Sequence, residues 1–182
     1  MSSLRLRRDD TALLVVDVQE KLAGAMPPAE LARMVKRTVA LVEGAQALGL
    51  PIAVTEQYPK GLGPTVASLR ERLGGVTPVE KLRFSAVDDR LRAQLHGRSQ
   101  ILVAGMETHV CVFQTVRQLA EDGWQPVLCA DAVISRFEVD RQIGLQLATA
   151  AGGTLATVET VLFDLLGGAG TAEFKRISAA IR

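Results

Sequence analysis

The sequence predicts an α/β protein: one domain over residues 1–182, a doubly wound three-layer sandwich on a six-stranded, mostly parallel sheet in the order 3-2-1-4-5-6. Two patterns carry that prediction. Short apolar runs without polar alternation, TALLVV at 11–16 and SQILVA at 99–104, are strands covered on both faces. Between such runs lie stretches whose apolar residues recur at three and four positions, the spacing of helices that cover a sheet. A length of 182 residues suits a single hydrophobic core.

The first strand, 11–16, stops at Asp17. After Pro27 and Pro28, the residues Leu31, Met34, Val35, Thr38, Leu41, Val42, Ala45 and Leu48 line one face of a helix that Gly49 ends. Residues 51–55 are the second strand. A glycine- and proline-rich loop over 56–64 follows, then a short helix around 65–73. Beyond Gly74 and Gly75, a strand at 76–80 delivers Lys81 to its end. A helix at 86–95, the fourth strand at 99–104 and a helix from about His109 to Gly123 come next. The fifth strand is expected at 127–130, followed by a helix at 138–150, a sixth strand at 154–157, a helix at 159–166 and a terminal amphipathic helix at 171–181 with Phe174, Ile177 and Ile181 inward.

Charge and composition exclude several function classes. The net charge is +1, so the basic excess that phosphate binding requires is absent, and no nucleic acid partner is expected. The cluster Arg5, Arg7 and Arg8 reads as a solvated arm. No apolar run approaches the ~20 residues of a membrane span, and the start MSSLRLRRDD lacks the apolar stretch of a secretory signal, so a cytoplasmic protein with no membrane partner is expected. In that compartment Cys111 and Cys129 stay thiols. No G-x-G-x-x-G string follows the first strand, which argues against a dinucleotide-dependent oxidoreductase.

In a doubly wound fold, ligands bind outside the carboxyl ends of the strands. The polar residues there are Asp17, then Glu56 and Gln57, Lys81, the segment from Gly105 to Cys111, and Asp131. Singly, each has an ordinary structural reading: a buried cysteine as filler, an aspartate as cap, a lysine as solvated charge. Jointly, Asp17, Lys81 and Cys111 supply what thiol chemistry needs. A neutral thiol is a weak nucleophile, and a base, a cation and the first turn of a helix all promote its ionisation.

Three strings add a family resemblance that covers nearly the whole chain. LLVVDVQEKL (13–22), VEKLRFSAV (79–87) and VAGMETHVCVFQT (103–115) resemble, in order and spacing, the three motifs of the isochorismatase-like cysteine hydrolases. GWQPVLCADAVISR (123–136) is similar to that family's fifth strand and following loop, and TEQYPKGLG (55–63) resembles the isochorismatase-domain-containing branch, whose substrates are poorly defined. The resemblance implies a Cys-Asp-Lys triad with Asp17 as base, Lys81 as the cation that holds the site and Cys111 as nucleophile. It also implies a non-proline cis peptide between Met106 and Glu107, with the backbone amides of Glu107 and Cys111 forming the oxyanion hole. On this reading the Glu107 side chain matters less than its backbone.

The expected activity is hydrolysis of a small amide-type, non-peptide carbon-nitrogen bond through a thioester. Alternatives are a non-catalytic binding or scaffolding relative, or a hydrolase of an isochorismate-like vinyl ether. Substrate contacts are expected from Gln19, Tyr58, Phe84, Thr108 and His109. Nicotinamidases of the family carry an acidic residue and two histidines after the second strand, where this chain has Glu56, Gln57, Tyr58, Pro59 and Lys60. With His96 and His109 on different elements, neither a metal nor a cofactor is expected. Cys129 reads as inert core, Asp131 as a cap or loop staple, and the protein is expected to be a homo-oligomer.

Overall fold

The computed structural model describes residues 4–182. Its strands are β1 (Thr11–Val16), β2 (Ile52–Gln57), β3 (Val79–Lys81), β4 (Gln100–Met106), β5 (Gln125–Ile134) and β6 (Thr154–Ala156). They form one sheet in the order β3-β2-β1-β4-β5-β6, and every neighbouring pair is parallel. The helices are α1 (Glu20–Ala23), α2 (Pro28–Ala47), α3 (Pro59–Leu62), α4 (Ala67–Arg70), α5 (Asp89–Gln94), α6 (Phe113–Glu121), α7 (Glu138–Ala150), α8 (Val158–Leu166) and α9 (Ala172–Ala180), with a π-helical turn over Thr108–Val112 leading into α6.

Strand alternation divides the apolar residues between two cores. On β1, Leu13 and Val15 join the layer that includes Leu41, Leu162 and Ile177, while Ala12, Leu14 and Val16 face Leu91, Val116 and Leu119. Each fully buried leucine or valine contributes about 1.5–3 kcal/mol by leaving water, so the two central strands anchor both layers. Those strands, β1 and β4, are buried along their whole length. Their carboxyl ends are therefore rigid mounts for Asp17 and for the turn that carries Cys111.

Several elements depart from expectation for identifiable reasons. Strand β5 runs four residues beyond 130, because Asp131 is accommodated inside it: one carboxylate oxygen accepts from the Val158 amide at 2.9 Å, capping α8, and the other lies 3.6 Å from Arg37. A register shift opposite Val103 and Gly105 absorbs the extra length. The arm bearing Arg5, Arg7 and Arg8 is docked rather than solvated. Leu6 is buried, and Gln100 binds the Arg5 carbonyl at 2.8 Å and the Arg7 amide at 2.9 Å. Helix α5 starts at Asp89, later than the pattern suggests, because Asp88 caps it by accepting from the Leu91 amide. Helix α9 packs on its own domain against α2, with Ile177 in the core and Phe174 stacked on Phe163.

Candidate active site

Asp17, Lys81 and Cys111 come together at the carboxyl edge of the sheet from three different strand ends. Asp17 leaves β1 with φ 52°, a left-handed conformation uncommon outside glycine, asparagine and aspartate. Its amide still donates to the Thr55 carbonyl at 3.1 Å, and its carbonyl accepts the Gln19 amide at 2.8 Å. The chain therefore turns sharply while the carboxylate stays under the sheet edge, fully buried. Across from it, Gly105 has φ 132°, and a Cβ there would stand 2.0 Å from the Val16 carbonyl oxygen. Only glycine lets β4 approach β1 this closely, one residue before Asp17.

Lys81 is the last residue of β3 and reaches across β2. Its Nζ donates to Asp17 Oδ2 at 2.6 Å, Gln57 Oε1 at 2.9 Å, the Phe84 carbonyl at 3.0 Å and the Arg83 carbonyl at 3.2 Å. Four acceptors surround three protons, so the ammonium is spent on the protein. Thr55 donates to the other Asp17 oxygen at 2.7 Å. The pair is deeply buried, with 5% of the lysine side chain and none of the aspartate exposed. Both charges are hydrogen-bonded within the protein, as a buried pair requires.

Cys111 sits within the π-helical turn and is 6% exposed. Burial pushes its thiol up to about 12; the Asp17 charge adds to the rise, Lys81 opposes it, and Asp17 acting as acceptor for the thiol proton and the Glu107 charge raise it further. Each of these effects but that of Lys81 favours the protonated thiol, with the Asp17 carboxylate as its acceptor. Desolvation and the Asp17 charge thus outweigh the opposing pull of Lys81.

The turn that carries Cys111 is clamped from one side. The Met106–Glu107 peptide is cis. The Glu107 carbonyl accepts the amides of Val110 and Val112 at 3.1 and 3.2 Å and passes over that of Cys111. The Glu107 carboxylate, 8% exposed, accepts from Arg136 N at 3.1 Å and Arg136 Nε at 3.0 Å. One ring nitrogen of His109 meets Ser135 Oγ at 3.0 Å, and the other lies 3.9 Å from Asp140. Helix α7 closes the clamp at Gly144, where a Cβ would be 2.7 Å from the His109 amide nitrogen.

The remaining expected substrate contacts divide. Gln19 is fully buried; its amide nitrogen donates to the carbonyls of Gln57 at 3.1 Å and Gly63 at 2.6 Å, and its oxygen accepts the Gln57 amide at 2.7 Å. It staples two loops and has no donor left for substrate. His109 spends one nitrogen on Ser135 after β5, and the other, 3.9 Å from Asp140 of α7, makes no hydrogen bond to it. Tyr58 and Phe84 are 51% and 53% exposed at the rim. The Thr108 hydroxyl, fully buried, has no hydrogen-bond partner among the described residues. Thr55, Ser135 and Arg136 are missed by sequence alone, as are the partner of Gln57, a strand-end residue named above, and the importance of the Glu107 carboxylate. The two-residue spacing of Thr55 and Gln57, which puts both on one face of β2, is the signal that could have found them.

Two open recesses lie at this edge. One, of about 560 Å³, is bounded by Tyr58, Lys60, Lys81, Leu82 and Arg83. The other, of about 860 Å³, lies between the start of α2 and the β5–α7 junction. Cys111 lines neither, so size alone does not mark the chemistry. Among the described residues, no three His, Cys, Asp or Glu side chains are grouped to hold a metal ion, and no helix is long and apolar enough to cross a membrane.

Comparison with known proteins agrees with this architecture. Residues 11–160 match the Isochorismatase domain. The mouse isochorismatase domain-containing protein 2A is 36% identical over 181 residues, covering 98% of this chain and 85% of that protein. A solved structure described as MAR1 ribonuclease from Caenorhabditis elegans is 35% identical and superposes with a TM-score of 0.92 over 98% of this chain and 92% of that one. YcaC from Pseudomonas aeruginosa, solved with hexane-2,5-diol and covalent acrylamide, is 26% identical with a TM-score of 0.88, covering 99% and 93%. The chain belongs to the isochorismatase-domain family of hydrolases.

Proposed function

We propose that this protein is a cysteine hydrolase acting on a small amide-type, non-peptide carbon-nitrogen bond, with Cys111 as nucleophile, Asp17 as general base and acid, and Lys81 as the cation that holds Asp17. The observation that carries this reading is the buried 2.6 Å contact between Lys81 and Asp17 beside a neutral thiol. A carboxylate pinned by an ammonium and a threonine is oriented to take one proton and return it.

In the proposed cycle, Asp17 removes the Cys111 proton as sulfur attacks the substrate carbonyl carbon. The backbone amides of Glu107 and Cys111 receive the oxyanion. The carbon-nitrogen bond then breaks, and Asp17 gives its proton to the departing ammonia or amine, leaving a thioester. Water, deprotonated by Asp17, attacks that thioester, and the thiol leaves with the proton. Thr108, with an unpartnered hydroxyl, and the rim residues Tyr58 and Phe84 face the substrate. Gln19 and His109 act by holding loops in place.

A small substrate suits this site better than a polymer. The nucleophile and base are almost wholly enclosed, and the net charge of +1 offers little to a phosphate backbone. The family's isochorismate-like vinyl ether chemistry does not need the thiol, whereas Cys111 is placed beside a base. Two unpaired thiols fit a reducing compartment such as the cytoplasm. We also read the protein as a homo-oligomer.

The test is ammonia release from a panel of small primary amides, with intact-mass analysis of the quenched enzyme. The expected result is turnover that Cys111→Ser abolishes, with an acyl adduct on Cys111. Acrylamide, an electrophilic amide, is a suitable first covalent probe. Tight amide binding without ammonia release would instead indicate a binding relative, and pyruvate release from isochorismate would indicate the vinyl ether reaction.

A further inference from the structure

Thr115 lies on α6 one turn after Cys111 and is fully buried. Its hydroxyl donates to the Cys111 carbonyl at 2.6 Å, the back-bond that a helical threonine commonly makes to the residue four positions earlier. Thr38 on α2 and Thr149 on α7 make the same bond, to the carbonyls of Met34 and Leu145 at 2.9 Å each. Of these three, Thr115 alone among the described residues also accepts a backbone amide from another segment: that of Ala86, at 2.9 Å and 29 residues earlier in the chain.

Ala86 belongs to the segment that cradles Lys81. The carbonyls of Arg83 and Phe84 accept from Lys81 Nζ, and Phe84 stands two residues before Ala86. A second strap runs beside the first: Ser85 Oγ donates to Gln118 Oε1 at 2.6 Å, and Gln118 follows Thr115 by three residues on α6. These straps brace the weakest mount of the site. Asp17 and the Cys111 turn follow β1 and β4, the buried central strands, whereas Lys81 ends a three-residue strand at the edge of the sheet that pairs with β2 alone. Residues 82–88 carry no helix or strand of their own. A lysine on a flexible four-carbon stem is held there by what it binds.

We propose that Thr115 is a positioning residue that ties the Lys81 cradle to the nucleophile turn, so that the ammonium and the Cys111 sulfur keep a fixed separation. The circuit runs from Nζ to the Phe84 carbonyl, along the chain to the Ala86 amide, through the Thr115 hydroxyl and into the Cys111 carbonyl, and it does not pass through Asp17. The inference rests on the reading of Cys111 as nucleophile and Lys81 as cation. Valine resembles threonine in shape but can neither donate nor accept. In Thr115→Val the buried Ala86 amide loses its acceptor, and because a buried N–H seldom goes unpaired, the segment around it shifts to find another. The Arg83 and Phe84 carbonyls move with it, and the pull of the ammonium on the thiol, which depends on distance, weakens.

The test is the rate at which iodoacetamide alkylates Cys111 in the folded full chain at mildly alkaline pH, followed by intact mass, with the modified residue located by peptide mapping. Thr115→Val is expected to react about 5- to 10-fold more slowly than wild type, because less of its thiol is ionised. Thr115→Ser keeps both bonds, and Thr38→Val loses a buried back-bond of the same kind on the other side of the sheet; both are expected within about 2-fold of wild type. In a Lys81→Met background the Thr115→Val slowing is expected to vanish, because the ammonium it acts through is gone. Lys81→Met with Asp17→Asn, which leaves no unpaired charge inside, replaces that background should the single variant fail to fold. Gln118→Leu cuts the second strap at a half-buried position and is expected to slow the reaction about 2- to 3-fold; it stands in for Thr115→Val should that variant not fold, and would then overturn the proposal by reacting as wild type does. Alkylation of Thr115→Val at the wild-type rate, equal slowing in Thr115→Ser, or slowing that persists without Lys81 would each overturn the proposal. A wild-type Cys111 inert to iodoacetamide overturns the nucleophile reading itself, and the proposal with it.

Discussion

The ammonium of Lys81 stands 2.6 Å from Asp17 Oδ2 with both side chains buried, and this pair governs the proton on Cys111. The carboxylate raises the thiol and the ammonium lowers it. In the proposed cycle the carboxylate, which accepts the thiol proton, takes it as the sulfur attacks.

Asp17→Asn removes the charge that opposes thiolate formation together with the base that completes the cycle. Turnover is expected to fall about 10²- to 10⁴-fold. The apparent thiol pKa, read from the pH profile of iodoacetamide alkylation, is expected to move down from about 12. A fall in turnover with the thiol moving up would contradict this electrostatic account.

Lys81→Met strands a buried carboxylate. Urea denaturation is expected to show a loss of about 3–5 kcal/mol, and the double variant Lys81→Met with Asp17→Asn should recover part of it because no unpaired charge is then left inside.

Glu107→Gln keeps the shape of the side chain but weakens its hold on Arg136, whose two contacts are charge-assisted. The expected cost is about 1–3 kcal/mol in stability, with kcat falling more than KM rises, because the effect reaches substrate through the nucleophile turn. Arg136→Ala should move kcat in the same direction. Unchanged kinetics in both would separate the clamp from catalysis.

Gly144→Ala drives a methyl group to 2.7 Å from the His109 backbone, where no flexible side chain can give way. A destabilisation of about 1–3 kcal/mol and reduced turnover are expected. Gly168→Ala, with nothing within 4 Å, is the matched control and should be near neutral.

Alkaline pH provides a further measurement. The Cys111 thiol ionises at about 12 when folded against 9.0 for the ordinary group, so the unfolded chain releases its proton first as pH rises. Its contribution to stability is full below pH 9.0 and is lost as pH rises toward 12. Cys129, also raised by burial, acts in the same sense. Thermal melts over this range should show a shallower decline for Cys111→Ser than for wild type.

Much of this molecule can be read along the chain. The runs at 11–16 and 99–104 are apolar at nearly every position, which a strand covered on both faces requires, and the three- and four-residue recurrence after Pro28 fits a helix with one inward stripe. Asp131 is harder: a charge inside an apolar run reads as a stop, and its partners Arg37 and Val158 are distant in sequence. The Gln19 amide and the His109 ring read as substrate contacts for the same reason, since the groups that absorb their hydrogen bonds, Gly63 and Ser135, arrive from elsewhere.

Local sequence, then, determined the order of strands and helices and the candidate trio Asp17, Lys81 and Cys111 at strand ends, because periodicity is a property of neighbouring residues. Tertiary structure decided that Lys81 is consumed by four acceptors, that burial and Asp17 push the Cys111 thiol up, and that Glu107 is tied to Arg136. Those outcomes depend on desolvation and on charges brought within a few ångströms by folding, quantities that no stretch of chain possesses before the sheet is assembled.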